Sequence, residues 1–245
     1  QAMGGIMSIT GWPDSPPTRT GTGIADILAG LFCCVGILSA IHARNLYGLG
    51  QKVDISITDS VIASMGTIFQ KYLVEKKVPE RTGNKYEFIA PCDSFRAKDG
   101  WFIIAVGNDK LWKDFCRAIN REDLIADKRF ENNVKRIENR DALKDIIEEW
   151  STNYKKNEIV EVLEGNQVPA APIMSVDQIA EEQHFVVARE MIQEVAHPIA
   201  GKMKICGSPI KMSVTNPSIR TASPLLGEHT EEIFKEYAHR RRKKG

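Results

Sequence analysis

One carboxylate in this chain has unusual surroundings. Asp26 precedes an apolar stretch, residues 27–41, that contains no charged side chain, and it follows a loop that carries Gly21 and Gly23. Free backbone N–H groups and the positive end of the helix macrodipole favour a negative charge at the start of a helix. A partly desolvated carboxylate in such a place can act as a nucleophile. The alternative is that Asp26 only caps the helix, and its position alone favours this simpler interpretation.

The elements around Asp26 are predicted to form part of an α/β layered domain. Residues 27–44 form a predicted helix that ends before Gly48. Its apolar run, 27–41, is too short to cross a bilayer at about 1.5 Å per residue, which predicts a buried core helix. Residues 51–57 alternate apolar and polar side chains, as in a strand with one exposed face. A second helix is predicted from Asp59 to about residue 76, and this order of elements is typical of α/β layers.

The chain changes character after a polar linker at residues 77–85. Lys98, Asp99 and Gly100 separate two short segments rich in apolar residues, and this predicts a hairpin because Asp-Gly supplies the positive φ of tight turns. Helices are predicted at 110–119, 139–152 and 156–166. We therefore expect residues 85–175 to form a small α+β domain.

The last part of the chain is predicted to return to the large domain. A crossover loop at 165–172 leads to a helix at 176–190, two strands near 191–195 and 202–213 joined as a hairpin, and a last helix after Thr230. The predicted division is thus 1–84, 85–175 and 176–245. The chain begins at Gln1 without a preceding strand or cap, so we expect it to be cut from something longer.

The overall composition excludes several function classes. The formal net charge of the 245 residues is +1, which gives no reason to expect a nucleic-acid partner, and the basic run at 240–244 is predicted to be a solvated tail. The five cysteines form no CxxC pair, which predicts reduced thiols, a cytoplasmic location and no zinc site. The five histidines lack the paired spacing of metal ligands. We expect neither a metal cofactor nor a membrane partner.

Two glycine motifs are weak when each is taken alone. Gly21 and Gly23 fall short of the dinucleotide fingerprint GxGxxG, because position 26 is Asp and no strand precedes them. Gly107 and Asn108 lie where a predicted strand meets a helix, and backbone N–H groups at such a junction can hold an anion or an oxyanion. No G-x-S-x-G sequence is present, so a serine hydrolase has no support.

Taken together, six strings of this sequence resemble the class III CoA-transferase family, also called the formyl-CoA transferase or CaiB/BaiF-type family. They occur in the order and at about the spacing of that family. The strings are residues 1–11, 24–31, 48–56, 105–109, 168–173 and 224–230. The resemblance implies a Rossmann-like large domain, of which only the C-terminal portion is present, plus a smaller α+β domain, in an interlocked homodimer.

The resemblance also implies roles for particular residues. Asp26 matches the nucleophilic aspartate of the family. Gly107 and Asn108, which we call the lid loop, match the loop that closes over the active site. Ile57 matches a position that lines the CoA cleft, and Gln1 falls where some members carry a glutamate near the nucleophile.

The implied reaction transfers coenzyme A from an acyl-CoA donor to a carboxylic acid acceptor, through an aspartyl-CoA thioester on Asp26 and without a metal. One alternative is an isomerase resembling α-methylacyl-CoA racemase, a member of the same superfamily; the sequence Asn108-Asp109, where racemases tend to carry a glutamate, favours the transferase. The other alternative is a fragment that is inactive without its N-terminal half.

Overall fold

The computed structural model describes residues 1–242, with side chains up to Tyr237. The chain forms two compact units, one from Gln1 to Ile173 and another that begins at Met174. Helices and antiparallel sheets are both present, so the predicted mixed α/β class is confirmed. The side chains of the basic run at 240–244 lie outside the described residues, and its tail role stays a prediction.

The chain before the linker is helical. It contains α1 (Ile6–Ile9), α2 (Ile24–Tyr47), α3 (Ile57–Ser64) and α4 (Gly66–Glu75). The long helix α2 ends where Gly48 adopts a φ of 74°, a left-handed conformation in which its N–H bonds to the carbonyl of Arg44 at 2.8 Å. The single helix predicted from Asp59 is two helices, separated where Gly66 has a φ of 46°.

The prediction that α2 is buried was wrong for the chain as described. Leu31, Val35 and Leu38 share one face of the helix and are 59%, 61% and 66% exposed. The helix is also longer than the apolar run suggested, with 24 residues, and by length and composition alone it is sufficient to cross a membrane. Core helices of soluble proteins meet the same criterion. Burial depends on an opposing surface, and the described residues do not cover this face.

The predicted strand at 51–57 was also wrong. Residues 51–56 have no regular structure, and Ser56 caps α3 by accepting a hydrogen bond from the backbone N–H of Asp59 at 3.2 Å. A strand needs a neighbour to pair with its N–H and C=O groups, and the described residues 1–84 contain no other strand. Val53 instead lies against α2, where a Cβ on Gly36 would be 2.8 Å from its Cγ1.

The small sheet consists of three antiparallel strands. Strands β1 (Cys92–Ala97), β2 (Gly100–Ala105) and β3 (Ala170–Pro172) lie in the order β1-β2-β3. The predicted hairpin is confirmed, since Ala97 pairs with Gly100 across the turn. Strand β3 pairs with the middle of β2, where the sequence predicted only a crossover loop.

Five helices cover this sheet and complete the core of the first unit. They are α5 (Asp109–Ala118), α6 (Asp123–Ala126), α7 (Asn133–Glu138), α8 (Arg140–Ser151) and α9 (Lys156–Gly165). The predicted helices at 110–119, 139–152 and 156–166 are thus confirmed, whereas α6 and α7 were not predicted. The core residues are apolar and almost wholly inaccessible; the largest are Phe95, Phe102, Ile104, Trp112, Phe115, Leu124, Phe130, Leu143, Ile147, Ile159 and Leu163.

The second unit contains three helical segments and one β-hairpin among its described residues. It comprises α10 (Val176–Glu181), a π-helical turn (His184–Ala188), β4 (Ile192–His197), β5 (Gly201–Cys206) and α11 (Thr230–Arg242). The predicted hairpin is confirmed by the pairing of His197 with Gly201. Two boundaries differ from the prediction: α10 ends at Glu181, nine residues before the predicted end at 190, and β5 ends at Cys206, before the predicted end at 213. The division of the chain at residues 84 and 175 stays a prediction.

Candidate functional site

Asp26 is the third residue of α2 and is exposed to solvent. The residue that precedes the helix is Gly23, which has no side chain, and no side-chain bond caps this helix start. Within the described residues the Asp26 carboxylate makes no hydrogen bond or ion pair. The interpretation of Asp26 as a mere cap was therefore wrong. The expected desolvation is also not observed, because the surface of α2 around it is uncovered.

Gly23 leaves room for the Asp26 carboxylate. A Cβ built on Gly23 would be 3.1 Å from Asp26 Oδ2, whereas one on Gly21 would meet nothing within 4 Å. The backbone N–H of Asp26 bonds to the carbonyl of Gly23 at 3.1 Å, which fixes the start of the helix. The two glycines of this loop thus differ: only the second lies next to the carboxylate.

Gln1 holds the loop that leads into α2. Its Nε2 donates to the carbonyl of Thr22 at 3.2 Å, and its Oε1 accepts from the N–H of Thr20 at 3.1 Å. Three residues later, the buried Gly4 lies against α3, where a Cβ would be 2.6 Å from Cγ1 of Val61. The first residues of the chain therefore join the entrance of α2 to α3.

Ile57 is the first residue of α3 and is 50% exposed. The structure places it one residue before Thr58, whose carbonyl would be 3.3 Å from a Cβ on Gly4. Gln1 thus contacts the loop that leads to Asp26, and Gly4 contacts the helix that begins at Ile57, while no described hydrogen bond joins Asp26 to Ile57.

The lid loop lies between strand β2 of the small sheet and helix α5. Gly107 and Asn108 are exposed and follow the buried Val106 at the end of β2. Asn108 Oδ1 accepts a hydrogen bond from the N–H of Leu111 at 2.9 Å and so caps α5. No described hydrogen bond or ion pair joins either residue to Asp26. The contact between the lid loop and Asp26 stays a prediction, as does the role of each.

Arg81 was missed by the sequence reasoning, although it lies in the polar linker. Its guanidinium donates to the carbonyls of Trp12 at 3.4 Å and Ser8 at 3.5 Å, and also to that of Ser15. The Trp12 ring in turn lies directly over Gly83, where no side chain would fit. The linker is therefore fastened to the loop after α1. The signal in the sequence was the presence of an arginine in the linker between two predicted domains.

Two of the cysteines, Cys92 and Cys116, are poor candidates for the reactive group. Burial raises the pKa of the Cys116 thiol to about 12, and burial together with the Asp93 carboxylate raises the pKa of Cys92. Neither is a thiolate at neutral pH, and the thiolate is the nucleophilic form. Among the described residues, no group of three or more His, Cys, Asp or Glu side chains is arranged to hold a metal ion.

The chain is similar in sequence to CoA-transferases. The chain is 40% identical over 237 residues to succinyl-CoA:mesaconate CoA-transferase of Haloarcula marismortui, covering 96% of this chain and 59% of that protein. It is 35% identical over 240 residues to acetyl-CoA:oxalate CoA-transferase of Acetobacter aceti, covering 97% of this chain and 60% of that protein. These names do not favour the racemase alternative.

A solved structure shows the same fold. The CaiB/BaiF family protein from Brucella suis superposes with a TM-score of 0.79 at 34% identity, covering 96% of this chain and 61% of that one. The chain thus spans about 60% of the length of these relatives. The profile of CoA-transferase family III matches residues 1–230. With nearly the whole sequence inside that match, the chain belongs to CoA-transferase family III.

Proposed function

We propose that this chain carries the nucleophile of a CoA-transferase, and that Asp26 is that nucleophile. The activity is proposed for the full-length protein. By this we mean residues 1–245 joined to the part of a full-length family member that these residues do not cover. The observation that carries the proposal is the Asp26 carboxylate itself, which is exposed, has no described hydrogen-bond or ion-pair partner and sits in the first turn of a 24-residue helix. The family match supplies the reaction class.

In the first half of the reaction, an Asp26 carboxylate oxygen attacks the thioester carbon of the donor. The C–S bond breaks, CoA leaves as a thiolate, and a mixed anhydride joins Asp26 to the donor acid. The thiolate then attacks the Asp26 carbonyl carbon. This step breaks the anhydride C–O bond, releases the donor carboxylate and leaves an aspartyl-CoA thioester. No electrons are gained or lost, and the free energy of the donor thioester is retained first in the anhydride and then in the aspartyl thioester.

In the second half, the acceptor carboxylate attacks the Asp26 carbonyl carbon and expels the CoA thiolate. The thiolate attacks the acceptor's acyl carbon in the new anhydride, which forms the product acyl-CoA and regenerates the Asp26 carboxylate. Each intermediate is open to hydrolysis, so the site has to exclude water while they exist.

The other predicted residues assist these steps. The Asp26 carboxylate lies in the first turn of α2, where backbone N–H groups have no partner within the helix. The lid loop, Gly107 and Asn108, offers backbone donors for the oxyanions that develop at each tetrahedral carbon and covers the site against water. Ile57 contributes apolar surface to the CoA cleft, and Gln1 fixes the loop that carries the nucleophile.

The substrates are proposed from the relatives. The names of these proteins refer to mesaconate and oxalate, with succinyl-CoA or acetyl-CoA as donors. We propose a dicarboxylic acid acceptor and a short acyl-CoA donor. We also propose that the full-length protein is a cytoplasmic homodimer, in which the exposed face of α2 is a core surface and does not contact a membrane.

The experiment is CoA exchange by the full-length protein with succinyl-CoA and a panel of dicarboxylic acids. Asp26→Ala is expected to abolish exchange, and hydroxylamine trapping followed by peptide mapping is expected to mark Asp26. Asp59→Ala is the matched control, since Asp59 is likewise exposed and third in its helix, α3. Substantial turnover in Asp26→Ala, or a label on a cysteine instead, would refute the assignment.

A further inference from the structure

Arg136 is a charged side chain in the interior of the first unit. It projects from α7 and its side chain is 0% exposed. Nε donates to the carbonyl of Ala90 at 2.9 Å, and Nη1 donates to the carbonyl of Phe130 at 3.1 Å. Nη2 donates to Asp109 Oδ1 at 2.8 Å. The planar guanidinium thus has a partner on each of its three nitrogens, as a desolvated arginine requires.

An aromatic ring completes this environment. The guanidinium carbon lies 5.1 Å from the centre of the Trp112 ring, within the range of a cation–π contact. The indole N–H of Trp112 is buried and has no hydrogen-bond partner among the described residues. The contact between Trp112 and Arg136 is thus made by the face of the indole ring and not by its N–H. Both Trp112 and Asp109 belong to the first turns of α5, so Arg136 contacts the start of that helix through two residues.

The same short helix holds a second segment of backbone, residues 88–91. Asn133 lies one turn before Arg136 on α7; its Nδ2 donates to the carbonyl of Phe88 at 2.8 Å. Its Oδ1 accepts from the N–H of Ala90 at 3.1 Å. Together with the Arg136 bond to Ala90, three backbone groups of the 88–91 segment bind to α7. The N–H of Val106, the residue before the lid loop, bonds to the Pro91 carbonyl at 2.9 Å.

We infer that Arg136 is a positioning residue for the lid loop. It is held rigidly inside the protein and, through Asp109, fixes the position of Gly107 and Asn108 relative to the 88–91 segment. This inference rests on the proposed function for what the lid loop does during the reaction. It adds a residue that touches neither substrate nor nucleophile and that sets where the oxyanion donors stand.

The two partners of the Arg136–Asp109 ion pair differ in burial. This difference supports the inference that Arg136 positions Asp109 and not the reverse. Arg136 is fully buried with two carbonyl partners of its own, whereas the Asp109 side chain is 63% exposed. The arginine is therefore the fixed partner and the loop residue is the one that is held. A lysine cannot replace it, because a single ammonium cannot reach three partners in the geometry of a guanidinium fork. Removing Asp109 leaves a buried charge without its carboxylate.

The test uses Asp109→Asn in the full-length protein, because Asp109 is exposed and its replacement preserves size. Asp123→Asn is the matched control: its side chain is 61% exposed and pairs with Arg121, which is 38% exposed. Arg136→Lys is the second variant. We measure kcat and KM for CoA exchange, the fraction of acyl-CoA that is hydrolysed, and hydrogen–deuterium exchange of peptides covering 86–92 and 105–112.

For Asp109→Asn we expect kcat to fall by about 10- to 100-fold with little change in KM, and the hydrolysed fraction to rise. Deuterium uptake should increase in both peptides, and Arg136→Lys should show the same changes. Asp123→Asn should change neither kcat nor deuterium uptake. Unchanged uptake in both peptides overturns the inference, whether or not exchange activity exists. Raised uptake with unchanged kcat in an active enzyme also overturns it. An inactive wild-type protein refutes the proposed function, and uptake alone then decides about Arg136.

Discussion

Gln1 and Thr20 are bonded twice through side chains and backbone. The Oε1 atom of Gln1 accepts from the N–H of Thr20 at 3.1 Å and from Thr20 Oγ1 at 3.2 Å. The Nε2 atom of the same amide donates to the carbonyl of Thr22 at 3.2 Å. The position uses a donor and an acceptor at once, which an amide supplies and a carboxylate does not.

We therefore expect Gln1→Glu to loosen the loop before Asp26 in the full-length protein. The carboxylate keeps the bonds from Thr20 but loses the donor to Thr22 and faces its carbonyl oxygen. The expected cost is about 1 kcal/mol of unfolding free energy and a kcat lower by about 10-fold. Denaturant unfolding and CoA-exchange kinetics measure both. Gln51→Glu, at an exposed glutamine, is the control; equal behaviour of the two variants would contradict the prediction.

Gly23→Ala should affect catalysis more than stability. The φ of Gly23 is −74°, outside the left-handed region that favours glycine. The new Cβ would be 3.1 Å from Asp26 Oδ2 and would push the carboxylate aside. We expect kcat to fall by about 10-fold with little change in Tm. Gly21→Ala, where a Cβ meets nothing within 4 Å, should leave kcat unchanged. A Gly23→Ala enzyme as fast as Gly21→Ala would show that the carboxylate does not need this space.

The buried thiol of Cys116 predicts a loss of stability in alkali. Burial raises its pKa from 9.0 to about 12 in the folded protein. Between those values the unfolded chain releases the proton and the folded chain retains it. Unfolding is then favoured as pH rises, by at most about 1.4 kcal/mol per pH unit. Thermal unfolding at pH 8 to 10 should show a steeper fall of Tm in the wild type than in Cys116→Ala. Cys206→Ala, at an exposed cysteine, should follow the wild type; identical slopes in all three proteins would argue against this account.

Residues 1–245 by themselves are expected to self-associate and to bind CoA weakly. Leu31 and Leu38 are seven residues apart on one face of α2 and are 59% and 66% exposed. Exposed apolar surface of this kind promotes association. The double variant Leu31→Glu/Leu38→Glu should reduce the mass seen by light scattering, while Val214→Glu, at a residue 90% exposed in the second unit, should not. A monodisperse monomer with micromolar CoA affinity by calorimetry would contradict the prediction.

The elements that the sequence predicted well carry their own local signals. Asn108 caps α5, and Asp99 with Gly100 forms the turn of the first hairpin. The elements that were predicted wrongly depend on partners that are distant in the sequence. Strand β3 exists because it pairs with β2, about 70 residues earlier. Residues 51–57 have the alternation of a strand and no described neighbour to pair with.

The candidate site shows the same difference between local and distant information. The string around Asp26 carries the family resemblance from which its role is predicted, and that role stays a prediction. Its exposure was not predictable, because burial depends on what covers α2. Arg136 gave no local signal, since two of its three hydrogen-bond partners are 46 and 27 residues away in sequence.

The core of the first unit is drawn from a single contiguous stretch. Every member of the cluster lies between Phe95 and Val168, whereas Ala25 and Val61 are the buried apolar residues among the described positions 1–84. A protease would therefore find cleavable backbone in the N-terminal helices long before it could open the small sheet and its helices. The segment that contains Arg136 and the lid loop is thus the part that we expect to survive brief proteolysis, and Asp26 lies outside it.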